Sequence, residues 1–377
     1  MDMKAIAGGA SIVALSAALA APAQAEMTVE IGGRIQADYV YYDDDNIDMG
    51  GAGTEFRRTR LFASGNIADD WKYKAQYDFA GNETELKDMY IQYTGWDFGK
   101  ITLGQFKQEQ GLEVLTSSKY ITFIERAAMS EFVPDRRISA GLSGDAGAWH
   151  YAASIFGDEE GSDDSTSESL GFSGRLTWGP KFGDSQLHFG GSASWQDPGE
   201  DTVRVRARPE THKTGTRLVN TGNLDEVDDI VTYGVEGAWV LGPFSVQGEW
   251  MQQTVNRDVG DEPDLTGFYV YGSWFLTGEN RSYKGGKFGR TKASNAWEVA
   301  VRYSNLDLED GDVLGGEQDV YTVGLNYYVN PYLRFMLNYV YTEADDVTAQ
   351  IDNPDGSGTR FKDEPGAIAF RVAMDFK

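Results

Sequence analysis

Basic side chains recur on the polar side of segments in which polar and apolar residues alternate. Arg34, Arg58, Arg60, Lys72, Lys74, Arg175, Arg302, Arg334 and Arg371 all fall there. The acids on the same side are Glu30, Asp38, Asp78, Asp88, Glu236, Glu249, Glu298 and Asp375. The excess of bases is small, but guanidinium groups dominate particular segments. A planar guanidinium donates two hydrogen bonds to two oxygens of one oxyanion. Rows of such groups around a narrow aqueous passage select anions. If the passage is wide, the same side chains only solvate its wall.

The elements that must carry these residues read as strands, because the period is two from Val29 onward. Val29, Ile31, Ile35, Ala37, Tyr39 and Tyr41 share one face of the first segment, opposite Glu30, Arg34, Gln36 and Asp38. Trp71, Tyr73, Ala75, Tyr77 and Phe79 oppose Lys72, Lys74, Gln76 and Asp78, and Ile368, Phe370, Val372, Met374 and Phe376 oppose Arg371 and Asp375. The pattern predicts strands at 27–42, 55–68, 70–81, 85–95, 99–106, 136–144, 147–157, 169–179, 185–197, 230–241, 243–255, 265–277, 295–306, 317–329, 331–343 and 366–376. They exceed the usual soluble strand of about 5 or 6 residues and suit the roughly 9 to 11 needed to cross hydrocarbon at a tilt.

Short links alternate with long polar loops at 43–54, 107–135, 158–168, 198–229, 256–264, 307–316 and 344–365; only 278–294 is long on the short-turn side. A soluble β-sandwich would explain any one strand. It does not explain aromatics at the ends of the apolar faces, among them Tyr39, Tyr41, Trp71, Phe79, Trp149, Trp178, Trp195, Trp239 and Trp250. Aromatic belts of that kind mark the two interfaces of a bilayer. The expectation is an all-β chain: a sixteen-stranded antiparallel transmembrane β-barrel, wide enough for an aqueous channel.

Composition narrows the function. The 33 Lys+Arg against 59 Asp+Glu give a net charge of −26 in 377 residues, which argues against nucleic acid as a partner. Zero Cys excludes disulfides, thiol catalysis and cysteine-held metals, and three His make a histidine metal site an unpromising reading. No cofactor is expected. Lys4, the small apolar run Ala5–Ala21 and Ala23-Gln24-Ala25 read as an export signal at 1–25, rather than a short anchor helix, leaving 26–377 as one barrel domain. Asp44-x-Asn46-x-Asp48 lacks the glycine a calcium loop needs at its sixth position, where Met49 stands. His150 near Ser154 has no visible third catalytic group and reads as wall, so no enzyme is expected.

The negative charge gathers in the long loops, at Asp43–Asp45, Asp158–Glu160 with Asp163-Asp164, and Asp307–Asp312. The anomalous turn is basic, with Arg281, Lys284, Lys287, Arg290 and Lys292 against Glu279, and would form a basic collar at the periplasmic mouth. Loop 203–220 is basic too, and reads as a solvated loop or a contact for lipid phosphates.

Several blocks are similar to the phosphate-selective porin O and P family. They include Gly104-Gln105-Phe106-Lys107, Gly111-Leu112-Glu113, Leu115–Tyr120 and Phe123-Ile124-Glu125-Arg126. Others are Phe56-Arg57-Arg58, Tyr73–Phe79, Leu276-Thr277-Gly278-Glu279 and Ala296-Trp297-Glu298. The resemblance implies a homotrimeric channel in a Gram-negative outer membrane, embedded in lipid and lipopolysaccharide. Its third loop would fold inward, and small anions such as phosphate would pass along an arginine ladder. It further implies Lys107, Lys119, Arg126, Arg136 and Arg137 at the constriction, with Arg58, Arg60 and Lys74 on the wall. The acids Glu109, Glu113, Glu125, Glu131 and Asp135 of the same loop keep a general or cation-preferring porin as the alternative. A plugged barrel acting as an enzyme or adhesin is the third reading.

Overall fold

The computed structural model describes residues 26–158, 169–199, 201–348 and 360–377. The expected export signal at 1–25, and the acidic tract around Asp163-Asp164, lie outside them. Sixteen long strands follow one another. They are β1 Glu30–Asp43, β2 Ala52–Ala68, β3 Trp71–Asp78, β4 Glu85–Trp96, β5 Gly99–Lys107, β6 Arg136–Ala146, β7 Trp149–Phe156 and β8 Leu170–Trp178. The second half holds β9 Ser185–Asp197, β10 Val227–Leu241, β11 Phe244–Arg257, β12 Asp264–Phe275, β13 Ala296–Asp310, β14 Val313–Asn330, β15 Leu333–Thr348 and β16 Gly366–Phe376.

Each strand pairs antiparallel with the next, and β1 pairs with β16 from Gly33↔Phe376 to Asp43↔Gly366, so the sheet closes into a ring. Closure satisfies backbone groups that hydrocarbon could not hydrate. Alternation sorts the side chains as the period requires. Ile31, Phe56, Leu61, Val235, Val301 and Val323 are exposed on the outer face, whereas Arg34, Gln36, Arg58, Arg175, Gln247, Arg302 and Arg371 are buried on the inner one. Outward aromatics meet in chains near the rims, such as Trp149–Trp178–Phe189 with centroids 6.2 Å apart at each step, and Tyr303–Tyr321–Tyr341 at 5.1 and 6.3 Å.

One expected loop is instead strand. The chain continues as β13 through Asp307–Asp310 and returns at Val313, leaving a two-residue turn with Gly311 at φ +60°. Leu306, Leu308 and Val313 remain buried on one side, so apolar alternation persists beneath the run of acids and carries the hairpin outward. Loop 203–220, expected to be solvated, is also built differently. Thr202–Val203 pairs with Leu224–Asp225, and Arg206–Ala207 pairs with Val219–Asn220. The ribbon buries Val205, Ala207 and Val219 against Met129 and Phe132, because its apolar positions alternate with the arginines.

Candidate functional site

The polar inner face is met by the 108–135 segment, which carries a short helix at Leu112–Leu115 and a 3₁₀ turn at Ala128–Phe132. Gln108 accepts from Ser154 Oγ at 2.6 Å and donates to Ser139 Oγ at 2.8 Å, and Gln110 accepts from Ser194 Oγ at 2.9 Å. Glu249 of β11 accepts from the backbone N–H groups of Leu112 and Glu113 at 2.6 and 2.7 Å. Asn338 of β15 accepts from Ile124 N at 2.7 Å, and Arg334 donates to Ile121 O at 2.9 Å. Gly267 of β12 makes room for the 3₁₀ turn, since a Cβ there would lie 2.7 Å from Met129 Cβ.

The strongest tie is ionic. Arg371 of β16, wholly buried, donates to both carboxylate oxygens of Asp38 at 2.7 and 2.6 Å, to Ile124 O at 2.5 Å and to Glu125 at 2.7 Å. Arg57 also donates twice to Glu125, at 2.9 and 3.2 Å. Burial opposes ionisation of Glu125, but Arg57, Arg58 and Arg371 outweigh it and hold the carboxyl well below the usual carboxylate range. Arg302 joins the same framework, donating to Glu113 and Glu210 and lying 4.5 Å from the Phe123 ring centroid.

Between this segment and strands β1–β7 lies an open cavity of about 610 Å³. Twelve Lys and Arg side chains line it against six Asp and Glu, so the space is positive although the chain is not. Arg34 and Arg60 face each other in register on β1 and β2, and Asp78 takes the Arg60 Nε hydrogen at 2.6 Å. Lys74 and Arg136 both bond Asp88, at 2.5 and 2.7 Å, and Lys107 donates to Val114 O at 2.8 Å. Arg126 reaches the carbonyls of Glu113 and Thr116, both at 2.8 Å, and still lines the space.

Strict alternation does not reveal every lining group. Arg57 and Lys87 arrive through β-bulges. Gln36 pairs with Arg58 but Ala37 pairs with Phe56, leaving Arg57 as the extra residue. On β4, Leu86 and Met89 pair with Tyr77 and Ala75, so Lys87 and Asp88 together oppose one residue. A bulge turns two adjacent side chains to one face. The sequence signal is the paired charge, Arg57-Arg58 and Lys87-Asp88, breaking the alternation. Lys100 and Arg208 were also missed, Arg208 because its long loop crosses the barrel.

That crossing is explicit. The 201–226 ribbon leaves β9, and its Glu210 accepts from Ser304 Oγ at 2.5 Å and from Ala128 N at 3.0 Å. Beyond it, Thr211 and Thr214 bond the Tyr42 hydroxyl at 3.0 and 2.9 Å, and His212 pairs with Glu55 at 2.9 Å. Burial pushes the Glu210 carboxyl up against the pull of Arg302.

The remaining expected residues divide. Arg34, Arg58, Arg60, Lys74, Lys107, Arg126 and Arg136 line the cavity, with Lys287 at its edge. Arg175, Arg302 and Arg334 do not; they bond Glu236, Glu113 and Glu210, and Ile121 O respectively, and Arg334 lines a second, smaller pocket. Arg137 donates to Arg136 O, and Lys72 is exposed. Lys119 sits 3.4 Å from Asp375 and beside the Phe62 and Tyr120 rings, in that same smaller pocket with Arg34 and Arg290. In the basic turn, Lys284 and Lys292 are exposed, Arg281 is buried 3.7 Å from the Phe288 centroid, and Arg290 bonds Asp375 and Pro331 O.

A model of the family described as phosphate-selective porin O and P matches residues 29–362. The chain is 34% identical over 335 residues to an uncharacterized protein of Caulobacter vibrioides, covering 81% of this chain and 67% of that one. It is 28% identical over 383 residues to Porin O of Pseudomonas aeruginosa, covering 88% and 87%. Among solved structures it is similar to an anion-selective porin from Comamonas acidovorans, with TM-score 0.58, 13% identity and coverage of 93% and 100%. A trimer form of OmpT from Vibrio cholerae gives the same four values.

Truncating Arg371 to Met removes the shared partner of Asp38 and Glu125. Loss of one partner of a buried pair costs about 3–5 kcal/mol. The Arg371→Met barrel should unfold at clearly lower guanidinium concentration in detergent and be cut faster by protease within 108–135. Adding Glu125→Gln should recover part of the loss; equal midpoints for wild type and Arg371→Met would show that the tie does not hold the segment.

Proposed function

The chain belongs to the phosphate-selective porin O and P family and is a channel of the Gram-negative outer membrane rather than an enzyme; on that premise we propose that it passes small anions, phosphate and related oxyanions among them. The observation that carries the reading is the cavity with twice as many basic as acidic side chains along β1–β6. In this reading the 108–135 segment is the constricting loop. Anions enter past Arg57, Arg58 and Arg208 and move along Arg34, Arg60, Lys74, Lys107, Arg126 and Arg136. Each guanidinium or ammonium replaces part of the hydration shell. Because most of these cations already share a carboxylate or carbonyl, each holds the ion weakly, and fast passage needs several weak sites rather than one tight one.

The same reading includes cleavage after Ala25, assembly as a homotrimer, and outer contacts with lipid and lipopolysaccharide. Support for the trimer comes from the trimeric form of the OmpT relative in fold. Native mass spectrometry of protein taken from outer membranes should give three copies, each starting at Glu26; a chain retaining residues 1–25, or a monomer, would refute the respective part.

In a planar bilayer under a KCl gradient, the reversal potential should show chloride preferred over potassium, and added phosphate should reduce the chloride current. Lys107→Ala combined with Arg60→Ala should lower the chloride-to-potassium permeability ratio severalfold. A cation-selective wild type would instead favour the acid-governed diffusion pore.

Glu210 gives a pH test. Its carboxyl, raised by burial, takes up a proton at higher pH than an ordinary glutamate, whereas Glu125 stays ionised. Protonation removes negative charge from the cavity wall, so anion preference should rise as pH falls from 7 to 5. Glu210→Gln should start from a higher preference and flatten that rise, as read from reversal potentials.

A further inference from the structure

The smaller pocket lies at the short-turn end of the lumen, where the 108–135 segment meets β1, β15 and β16. Its volume is about 30 Å³, against about 610 Å³ for the main cavity. Four basic side chains line it, Arg34, Lys119, Arg290 and Arg334, against one acid, Asp375. Strand register makes the room. Ala373 of β16 pairs with Gln36 of β1 on one side and with Arg334 of β15 on the other, and Arg34 pairs with Asp375 two residues along. A methyl group thus stands between longer side chains on the inner face, and the space above it stays open.

The charges there do not balance. Asp375 is shared by two cations, since Lys119 Nζ lies 3.4 Å from it and Arg290 also donates to it. Arg34 and Arg334 are both more than nine-tenths buried, and their partners among the described residues are neutral. Arg34 donates to the hydroxyls of Ser117 and Ser118. Arg334 Nη1 donates to Ile121 O at 2.9 Å and to the Tyr328 hydroxyl at 3.2 Å, while its Nη2 has no partner. Burying a guanidinium without a counter-charge is costly. A small anion lodged in the pocket would supply both the missing charge and the missing acceptor.

We propose that this pocket is a resident halide site, in which one chloride ion sits over Ala373 between Arg34 and Arg334 and accepts from Arg334 Nη2. Size selects the ion. A pocket of this volume takes on the order of one or two water-sized species, which admits a bare chloride or bromide and excludes tetrahedral phosphate or sulfate. Asp375 does not repel it, because Lys119 and Arg290 compensate that carboxylate. The ion fastens residues 117–121 of the segment to β1 and β15, the two strands whose arginines already hold that stretch. It is a fixed structural ion rather than a permeating one, so it is held whichever ion the open channel prefers.

The purified protein is to be followed in detergent at constant ionic strength while sodium gluconate is replaced by sodium chloride. Its thermal unfolding midpoint should climb by several degrees and level off as chloride rises from about 1 to 100 mM, since only the folded barrel binds the ion. Bromide should act alike, whereas sulfate and phosphate should not. Ala373→Leu fills the pocket and removes no charge, and Arg334→Met removes the unpartnered donor. Each should abolish the chloride-dependent rise, whatever its midpoint in gluconate. Crystals soaked in bromide should give an anomalous peak over Ala373. A midpoint that ignores chloride would mean that water fills the pocket and would overturn the site. So would a rise that sulfate reproduces, or one that either variant retains. Should neither variant fold, absence of the bromide peak from wild-type crystals overturns the site by itself. A cation-selective reversal potential would overturn the anion-channel reading and leave each of these outcomes as it stands.

Discussion

Hydrocarbon cannot hydrate a peptide group, and the whole arrangement depends on that constraint. A strand in lipid must pair on both edges, so the sheet has to meet itself, as it does where Gly33–Asp43 runs beside Gly366–Phe376. Sixteen strands closed in this way enclose more volume than their inward side chains can fill. The interior is then available to polar residues, and the alternation that puts Ile31 and Val301 toward lipid puts Arg34 and Arg302 inside.

Those inward charges do two different jobs, and Arg57 and Arg58 of β2 do both, holding Glu125 while lining the cavity. On the β9–β16 side they act as fasteners. Glu249, Asn338, Arg334 and Arg371 take up the backbone groups that the 108–135 segment would otherwise leave bare, and Arg302 grips its Glu113 and the ribbon's Glu210. A segment without regular structure can lie in a closed space only if its peptide groups find such partners. On the β1–β6 side the charges face open space. There Arg34, Arg60, Lys74 and Arg136 are kept together by Asp78 and Asp88, which lower their mutual repulsion without cancelling it.

Placement also reconciles a chain of charge −26 with a positive cavity. Acids such as Asp44, Asp45, Asp310 and Asp312 sit in the long loops and the extended β13–β14 hairpin. Charges separated from the cavity by more than about 8 Å of electrolyte are largely screened at physiological salt. The groups that set the potential inside are the ones that share its low-dielectric walls.

The period of two along each strand was enough to show the sixteen strands, their inner and outer faces and the aromatic rims, because the pleat fixes side-chain direction locally. It placed Arg34, Arg60 and Lys74 inward, and the family resemblance added Lys107, Arg126 and Arg136. Tertiary structure alone decided which inward cations meet open space. Arg175 and Arg302 look the same in sequence as Arg60, yet they lie off the cavity and bond partners 61 and 92 residues away. Arg57 and Lys87 became lining groups through bulges set by cross-strand register, and Arg208 through a ribbon that reaches the opposite wall. Strand faces follow from neighbours in the chain, whereas pairing of a buried charge depends on long-range contacts that no local pattern encodes.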